Sequence, residues 1–283
     1  MKQVRPKKNL GQHFLTDLDI ARRIADTVDT PYPALPVLEV GPGMGVLTQF
    51  LAEKPRPLRV VEIDAESVEY LHNNYGWEVV TSLKPQAAAE GATTKREKPL
   101  IIAGDFLRMD LRQLFGGGQF VLTGNYPYDI SSQIFFKMLD NRDLIPCCTG
   151  MIQHEVAVRM AAAPGSKQYG ILSVLIQAWY NVEYLFTVEP SVFNPPPKVQ
   201  SAVIRMTRND VQQLGCDEEL FRRVVKTTFN QRRKMLRVSL RQLLPPDSSF
   251  YAQNADLLTR RPEQLTISEF IALTNLVAPF LNE

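Results

Sequence analysis

Cysteine and histidine are scarce in this chain, with three of each among 283 residues. The cysteines are odd in number, and Cys147 and Cys148 are adjacent while Cys216 stands apart. This spacing suits neither a disulfide framework nor a zinc site, and it favours a reducing compartment. Because the histidines are also scattered, without close His or Cys partners, we expect no metal cofactor.

Long apolar runs are missing as well. No stretch approaches the ~18 uninterrupted apolar residues of a membrane span, and no apolar segment follows the basic N-terminus as it would in a secretion signal. With 45% hydrophobic and 22% charged residues, the composition is that of an ordinary globular protein. We therefore expect a cytoplasmic protein without membrane contact, large enough for one large domain and a small one.

Short apolar strands alternate with helical patterns through most of the chain. The clearest strand candidates are residues 36–40, 58–64, 100–105 and 120–124. This alternation predicts an α/β fold with a mostly parallel sheet that is covered by helices on both faces. Residues 182–188 and 199–208 follow one another without a helix between them, which predicts an antiparallel pair at one edge of the sheet.

The character of the sequence changes near Arg208. Beyond it the strand patterns stop and helical periodicity takes over, which predicts a first domain over residues 1–208 and a small helical domain over 209–283. One segment, residues 83–99, does not fit the alternation, because it is small, polar and bounded by prolines. It predicts a mobile surface loop.

The first candidate strand ends in a glycine-rich turn. The third glycine of the dinucleotide fingerprint would fall three residues after Gly43, whereas Gly45 comes after two, so a nicotinamide oxidoreductase is disfavoured. Glu62 lies about twenty residues beyond Gly41, the spacing of an acid that binds ribose hydroxyls. Asp105 closes the next strand, where it can accept a hydrogen bond from an adenine amino group.

The tetrapeptide Asn125-Tyr126-Pro127-Tyr128 follows the fourth candidate strand. Taken alone, it also suits a proline-containing turn between a strand and a helix. However, the exocyclic nitrogen of adenine is a poor nucleophile until acceptors draw its hydrogens out of the ring plane. The Asn125 oxygen and the main-chain carbonyl of Tyr126 or Pro127 supply two such acceptors, and Tyr128 offers a stacking face. The motif therefore predicts methylation of an aromatic amine.

Positive charge is concentrated in residues 222–241, which contain no acidic side chain. Apolar residues recur there at spacings of three and four, predicting one or two amphipathic helices with basic outer faces. The basic residues are Arg222, Arg223, Lys226, Arg232, Arg233, Lys234, Arg237 and Arg241. A solvated helix face is the alternative, but the absence of compensating carboxylates favours binding to RNA phosphates, to which Lys7 and Lys8 of a second basic cluster would contribute.

Several of these motifs together resemble the KsgA-type small-subunit rRNA adenine dimethyltransferases. The matching segments are KNLGQHFL from Lys8, EVGPGMGVLT from Glu39, VEID from Val61, GDFL from Gly104, the Asn125 tetrapeptide, FNPPPKV from Phe193 and FNQRRKMLR from Phe229. The resemblance covers essentially the whole chain. It implies a Rossmann-like methyltransferase that uses S-adenosylmethionine, with a helical C-terminal domain, and that dimethylates two adjacent adenosines near the 3′ end of the small-subunit rRNA.

The resemblance also implies roles for individual residues. Tyr128 and Phe193 would sandwich an extruded base. The implied cofactor residues are His13 and Leu15 in an N-terminal lid, Gly41 and Gly43 in the glycine turn, Glu62, Asp105 and Asn125. The family commonly has Asn at the position of His13 and Leu at that of Tyr126. The expected partner is small-subunit rRNA within an immature 30S-type subunit, bound by a monomeric enzyme.

Two further functions remain open from the sequence. A large-subunit rRNA adenine methyltransferase of the antibiotic-resistance type shares the catalytic motifs, although the FNQRRKMLR segment and the basic N-terminal stretch favour the small subunit. A mainly non-catalytic assembly factor would bind immature small subunits, although an intact Asn-x-Pro-Tyr motif argues against a purely silent protein. Methyl incorporation into immature small subunits, compared with large subunits, separates all three.

Overall fold

The structure of the protein is a computed structural model that describes Lys7 and residues 12–82 and 98–281. Residues 83–97, most of the predicted mobile loop, therefore lie outside the described residues. The contacts between residues divide the chain into two compact units.

The first unit contains residues 1–157 and 183–208, and the second contains residues 158–182 and 209–283. The last change of unit falls after Arg208, where the sequence predicts a domain boundary. The structure differs for residues 158–182, which the sequence places in the first domain and which pack with the C-terminal residues instead.

The main sheet has eight strands in the described part of the chain. The strands, including those of a separate two-stranded sheet, are β1 (Phe14–Leu15), β2 (Val37–Val40), β3 (Leu58–Glu62), β4 (Glu78–Val80), β5 (Leu100–Ala103), β6 (Val121–Thr123), β7 (Cys147–Gln153), β8 (Tyr180–Val188), β9 (Phe193–Asn194) and β10 (Ser201–Arg208). Their order in the main sheet is β4-β5-β3-β2-β6-β7-β10-β8. In this spatial order, each neighbouring pair from β4 through β7 is parallel, and β10 is antiparallel to β7. The predicted mostly parallel α/β fold is confirmed.

Helices follow most of the parallel strands, and a helical cluster forms most of the second unit. The helices are α1 (Leu18–Asp26), α2 (Thr48–Leu51), α3 (Ala65–Tyr75), α4 (Ser131–Asp140), α5 (His154–Met160), α6 (Ile171–Gln177), α7 (Glu218–Asn230), α8 (Leu236–Ser239), α9 (Phe250–Gln253) and α10 (Ile267–Val277). Among the described residues, none of these helices has the length and apolar character needed to cross a membrane.

The core of the first unit lies on both faces of the central strands. Every residue of β2 and β3 is buried, as expected where helices cover both faces of parallel strands. The register of β2 sets Glu39 opposite Thr123 of β6 and Val60 of β3. A polar side chain is thereby held inside the sheet, one residue before the glycine turn.

The separate two-stranded sheet is formed by β1 and β9. Phe14 pairs with Asn194 and Leu15 with Phe193, and the Thr16 N–H donates to Val192 O at 2.8 Å. This pairing fixes the chain just before α1 against a segment almost 180 residues later. It brings the Leu15 and Phe193 motifs of the sequence together.

In the second unit, α7 carries the predicted amphipathic pattern. Phe221, Val224, Val225 and Phe229 are buried, and Asp217 caps the helix by accepting from Leu220 N at 2.6 Å. The Phe229 ring lies 5.7 Å from that of Phe270 on α10. The predicted helices with buried apolar faces are confirmed as α7 and the shorter α8.

Two glycines permit an unusually close approach between the turn after β6 and strand β7. A Cβ atom at Gly150 would lie 2.3 Å from Gly124 O and 2.8 Å from the Tyr126 ring, and the φ of Gly150 is +141°. A Cβ atom at Gly124 would lie 2.6 Å from Val40 O. Since backbone atoms cannot yield as a flexible side chain can, both positions require glycine.

We expect Gly150→Ala to lower the free energy of unfolding by about 2–3 kcal/mol, because the new methyl group overlaps backbone and forces β6 and β7 apart. Chemical denaturation measures the change. Gly104→Ala is the control, since a Cβ atom there meets nothing within 4 Å. Equal stability of the two variants would contradict the close approach.

Candidate active site

A cavity of about 240 Å³ opens at the carboxyl edge of β2, β3, β5 and β6. Open parallel sheets bind ligands at this edge. Of the residues predicted from sequence, those that line it are His13, Leu15, Gly41, Gly43, Glu62, Asp105, Asn125, Tyr126, Pro127 and Tyr128. The fold thus brings together residues that are more than 100 positions apart in the chain, such as His13 and Asn125.

The glycine turn after β2 is bound to the end of β3 through Glu62. The Gly43 N–H donates to Glu62 Oε2 at 3.0 Å, and the Asp64 N–H donates to Oε1 at 2.9 Å. Burial raises the pKa of Glu62, and these backbone donors oppose the shift. Because a carboxylate offers about four lone pairs, each oxygen can still accept a bond from a ligand hydroxyl.

Asp105 has a structural role that the sequence does not reveal. Its Oδ1 accepts from Leu107 N at 2.9 Å and begins the 3₁₀ turn Phe106–Arg108, while Oδ2 lies 3.5 Å from Arg108 Nε. Lys137 of α4 supports the same turn by donating to Leu107 O at 2.9 Å and to Met109 O. One carboxylate oxygen is committed to the turn, and the other lies beside an exposed arginine.

Asn125 is fixed from two sides. It forms an isolated parallel bridge with Met151 of β7, and the next N–H, that of Tyr126, donates to Met151 O at 3.0 Å. The side-chain amide donates from Nδ2 to His13 O at 3.2 Å. This bond uses the donor side of the amide, so its acceptor oxygen is left for another group.

The Tyr126 side chain anchors the tetrapeptide to β7. It is 1% exposed, and its hydroxyl donates to Thr149 O at 2.9 Å and lies 3.2 Å from Cys148 Sγ. Burial raises the pKa of Tyr126 well above its ordinary value. The larger residue at this position is therefore accommodated by β7, and Gly150 provides the space for its ring.

Tyr128 is held by Ser201, with 2.5 Å between the two hydroxyl oxygens. The His13 ring lies beside it, with centroids 5.6 Å apart and planes inclined by 28°. His13 Nδ1 lies 2.8 Å from Pro195 O, so this nitrogen carries the hydrogen and donates it. The ring that neighbours Tyr128 is that of His13, which the sequence assigns to the lid.

The structure does not bring Phe193 to the cavity. Its side chain is 4% exposed, belongs to the hydrophobic core of the first unit and is not among the described residues that line the cavity. The pairing of Phe193 with Leu15 in the small sheet explains this position, because both side chains are drawn into the core.

The predicted RNA-binding residues fall into different environments. Arg223, Arg233, Lys234 and Arg237 are exposed, while Arg222 and Arg232 are half-buried. Arg232 donates to Ser166 O at 3.0 Å within the second unit.

The N-terminal basic cluster differs again. Lys7 forms ion pairs with Asp64 at 2.5 Å and Glu66 at 3.1 Å, which neutralise its charge. Lys8 lies outside the described residues. Among the predicted RNA-binding residues that the structure describes, the exposed cations thus lie in the second unit.

Ile63 and Glu39 are among the cavity residues that sequence reasoning missed. Ile63 follows Glu62 and is 57% exposed, which is unusual for a large aliphatic side chain and supplies an apolar face beside Glu62. Glu39 is the first residue of the EVGPGMGVLT motif. A charged residue near the end of a buried strand was the signal that could have identified it. It is 1% exposed, and its Oε2 has no hydrogen-bond partner among the described residues.

Burial raises the pKa of Glu39 to about 8, and repulsion from Glu62 adds to the shift. A buried acceptor without a donor is costly unless a ligand or a proton satisfies it. The Glu39 carboxyl is therefore a feature of the cavity that calls for a positively charged or hydrogen-bonding ligand.

This sheet, with its ligand edge and its asparagine turn, belongs to the class of Rossmann-like methyltransferases. Two solved structures share the fold: a dimethyladenosine transferase from Plasmodium falciparum, with a TM-score of 0.71 and 22% identity over 95% of this chain and 98% of that one, and the 23S rRNA methyltransferase ErmE, with a TM-score of 0.64 and 23% identity over 94% and 99%. At these identities the likeness concerns the fold.

The chain belongs to the ribosomal RNA adenine dimethylase family, whose profile matches residues 3–275. A relative from Bacteroides thetaiotaomicron, named ribosomal RNA small subunit methyltransferase A, is 64% identical over 277 residues, which cover 98% of this chain and 96% of the relative. The predicted enzyme class and the predicted cofactor, S-adenosylmethionine, are confirmed.

The residues present fit this cofactor. The backbones of Gly41 and Gly43, both at positive φ, allow a ligand to approach the turn, and Glu62 retains lone pairs for ribose hydroxyls. Ile63 offers an apolar face, and the unpartnered Glu39 oxygen suits a ligand of positive charge.

We expect the stability of the ligand-free protein to depend on the ionisation of Glu39. In the unfolded chain the pKa of Glu39 has its ordinary value of 4.5, whereas in the folded protein its pKa of about 8 keeps the side chain protonated up to about pH 8. The folded state binds more protons in this range, so its stability is lost as pH rises from 5 to 8. Between pH 5 and pH 8, the Glu39→Gln variant should lose less unfolding free energy than the wild type, by on the order of 3 kcal/mol.

Urea denaturation at several pH values measures this difference. Glu78→Gln, which removes an exposed carboxylate from β4, is the control and should follow the wild-type curve. Parallel curves for the wild type and Glu39→Gln would show that Glu39 ionises normally.

Proposed function

We propose that this enzyme transfers methyl groups from S-adenosylmethionine to the N6 amines of two adjacent adenosines near the 3′ end of small-subunit rRNA. The observation that carries the proposal is the fixed Asn125 amide, which lines the cavity at the carboxyl edge of the sheet and whose acceptor oxygen remains available. The substrate would be an immature 30S-type subunit in the cytoplasm, and the enzyme would act as a monomer.

The cofactor would be held by main-chain and carboxylate groups. Glu62 would accept from the ribose hydroxyls, and the free oxygen of Asp105 would accept from the adenine amino group, with Ile63 against the adenine face. Leu15 and the His13 main chain, fixed by the β1–β9 pairing, would cover the ligand. These assignments use groups that already line one cavity.

When bound, S-adenosylmethionine supplies a methyl group that is electrophilic because its sulfur is positively charged. The Asn125 oxygen and the carbonyl of Tyr126 or Pro127 would accept the two N6 hydrogens and localise the nitrogen lone pair. One N–C bond forms, one S–C bond breaks, and the acidic proton of the methylated amine passes to water. Asn125 is an acceptor and not a base, so positioning supplies the catalysis.

The target base must leave its stack to reach Asn125. Tyr128, anchored by Ser201, would provide one stacking face. Phe193 was assigned the other face from sequence, and its burial means that it would need to turn out of the core to serve, whereas the His13 ring is already beside Tyr128. After the first transfer one N6 hydrogen remains for the second round.

The relatives favour the small subunit over the alternatives. The 64% identical Bacteroides protein is named for the small subunit, whereas the 23S rRNA methyltransferase shares only the fold with this chain. A purely non-catalytic assembly factor would have no use for the fixed Asn125 amide, although binding to immature subunits would accompany catalysis.

We expect Asn125→Ala to abolish methyl transfer while cofactor binding stays measurable, because the acceptor is lost and the Glu62 contacts remain. The assay follows tritiated methyl incorporation into immature small subunits and, separately, large subunits. Asn73→Ala, at an exposed position of α3, is the matched control. Full activity of Asn125→Ala would refute the role of Asn125. If the wild-type enzyme labelled large subunits and not small ones, the proposed small-subunit substrate would be refuted.

The exposed cations of the second unit should govern affinity for the subunit. We expect Arg233→Glu with Lys234→Glu to weaken binding to immature small subunits and to reduce its salt dependence, by a slope of about 1 per lost phosphate contact. Filter binding at several salt concentrations measures both. Arg112→Glu, a charge reversal in the first unit, is the control, and unchanged binding of the double variant would contradict the proposed surface.

A further inference from the structure

Glu39 is an ionisable side chain to which the proposed reaction assigns no role. It lines the cavity and is 1% exposed, and its Oε2 accepts no hydrogen bond from the described residues. Glu62 is also buried, but its two oxygens accept from Gly43 N and Asp64 N. A partner for the Glu39 Oε2 atom therefore has to come from what binds in the cavity.

The groups around Glu39 supply no positive charge. The Thr48 hydroxyl of α2 faces Glu39 and lowers its pKa, and the charged or titratable groups that interact with it are Glu62 at the end of β3, Tyr75 of α3 and Tyr126 after β6. Its register partner on β6, Thr123, has a hydroxyl that also lacks a partner among the described residues. With a pKa of about 8, Glu39 keeps its proton at pH 7 in the ligand-free protein.

We propose that the Glu39 carboxylate is the counter-charge for the cationic cofactor and shifts the relative affinity of the pocket toward the methyl donor and away from its product. S-adenosylmethionine carries a permanent positive charge on sulfur. S-adenosylhomocysteine has the same adenosine, ammonium and carboxylate but a neutral thioether. A buried negative charge distinguishes the two by net charge, in addition to the methyl group by which they differ in shape.

The same charge couples cofactor binding to a proton. Entry of a positive charge favours ionised Glu39, so its O–H bond breaks and the proton passes to water. When the methyl group has been transferred, the positive charge is gone and Glu39 takes a proton back from water, which favours release of the product. Each unit by which the cation lowers the pKa of Glu39 below the working pH corresponds to a further tenfold preference.

Titration calorimetry on the full chain tests this inference, which rests on the proposed cofactor. S-adenosylmethionine and S-adenosylhomocysteine are each titrated at pH 7 in two buffers of different ionisation enthalpy, which counts the protons released. In Glu39→Gln we expect the ratio of the two affinities to move about tenfold toward the product. Proton release with S-adenosylmethionine should approach one in the wild type and vanish in the variant.

Two further variants make the result decisive. Glu39→Asp keeps the charge and should keep the affinity ratio, and Glu78→Gln removes an exposed carboxylate and should change nothing. An unchanged ratio and proton count in Glu39→Gln, or the same loss of ratio in Glu39→Asp, would overturn the inference while methyl transfer to rRNA still stood. A wild-type protein that bound neither ligand would overturn the proposed function instead.

Discussion

Glu62 joins three strand ends into one ligand edge. Its side chain accepts from Gly43 N after β2, its main-chain oxygen accepts from Gly104 N at 2.9 Å after β5, and it closes β3 itself. A carboxylate buried in this way is stable only because backbone N–H groups meet it. A cofactor held by Glu62, as proposed, would be positioned by the same contacts that hold the ends of the sheet together, and its binding would need little rearrangement of these strands.

The methyl-accepting side is built on different contacts. Its turn is attached to β7 through Met151, and the Tyr126 ring fits where Gly124 and Gly150 have no side chains. The two attachments meet at Asn125, which also bonds to the His13 main chain. The acceptor oxygen of Asn125 is thus fixed beside the proposed cofactor pocket, which the separate segment of His13 would close. Electrostatic preorganisation of this kind places the acceptors before the substrate arrives.

Local patterns in the sequence were sufficient for the alternating strands and helices and for the residues of the ligand edge, because each follows a strand end. Contacts between distant residues were not readable in this way. The pairing of Lys7 with Asp64 and Glu66, the placement of Phe193 in the core and the packing of residues 158–182 with the C-terminal helices all depend on the folded chain. Strand β4 was missed because it is short and only half-buried at the sheet edge.

The spacing of the His13 and Tyr128 rings has a consequence for the order of events. Their centroids are 5.6 Å apart, whereas a flat base between two rings requires about 7 Å, two contact distances of ~3.5 Å. A nucleoside that entered between the two rings would have to displace the His13 imidazole. The main-chain oxygen of His13 accepts a hydrogen bond from Asn125, and its ring is hydrogen-bonded to Pro195 O. Binding of the RNA substrate would then loosen the His13 segment over the cofactor. The used cofactor could in that case be exchanged while the RNA is still bound.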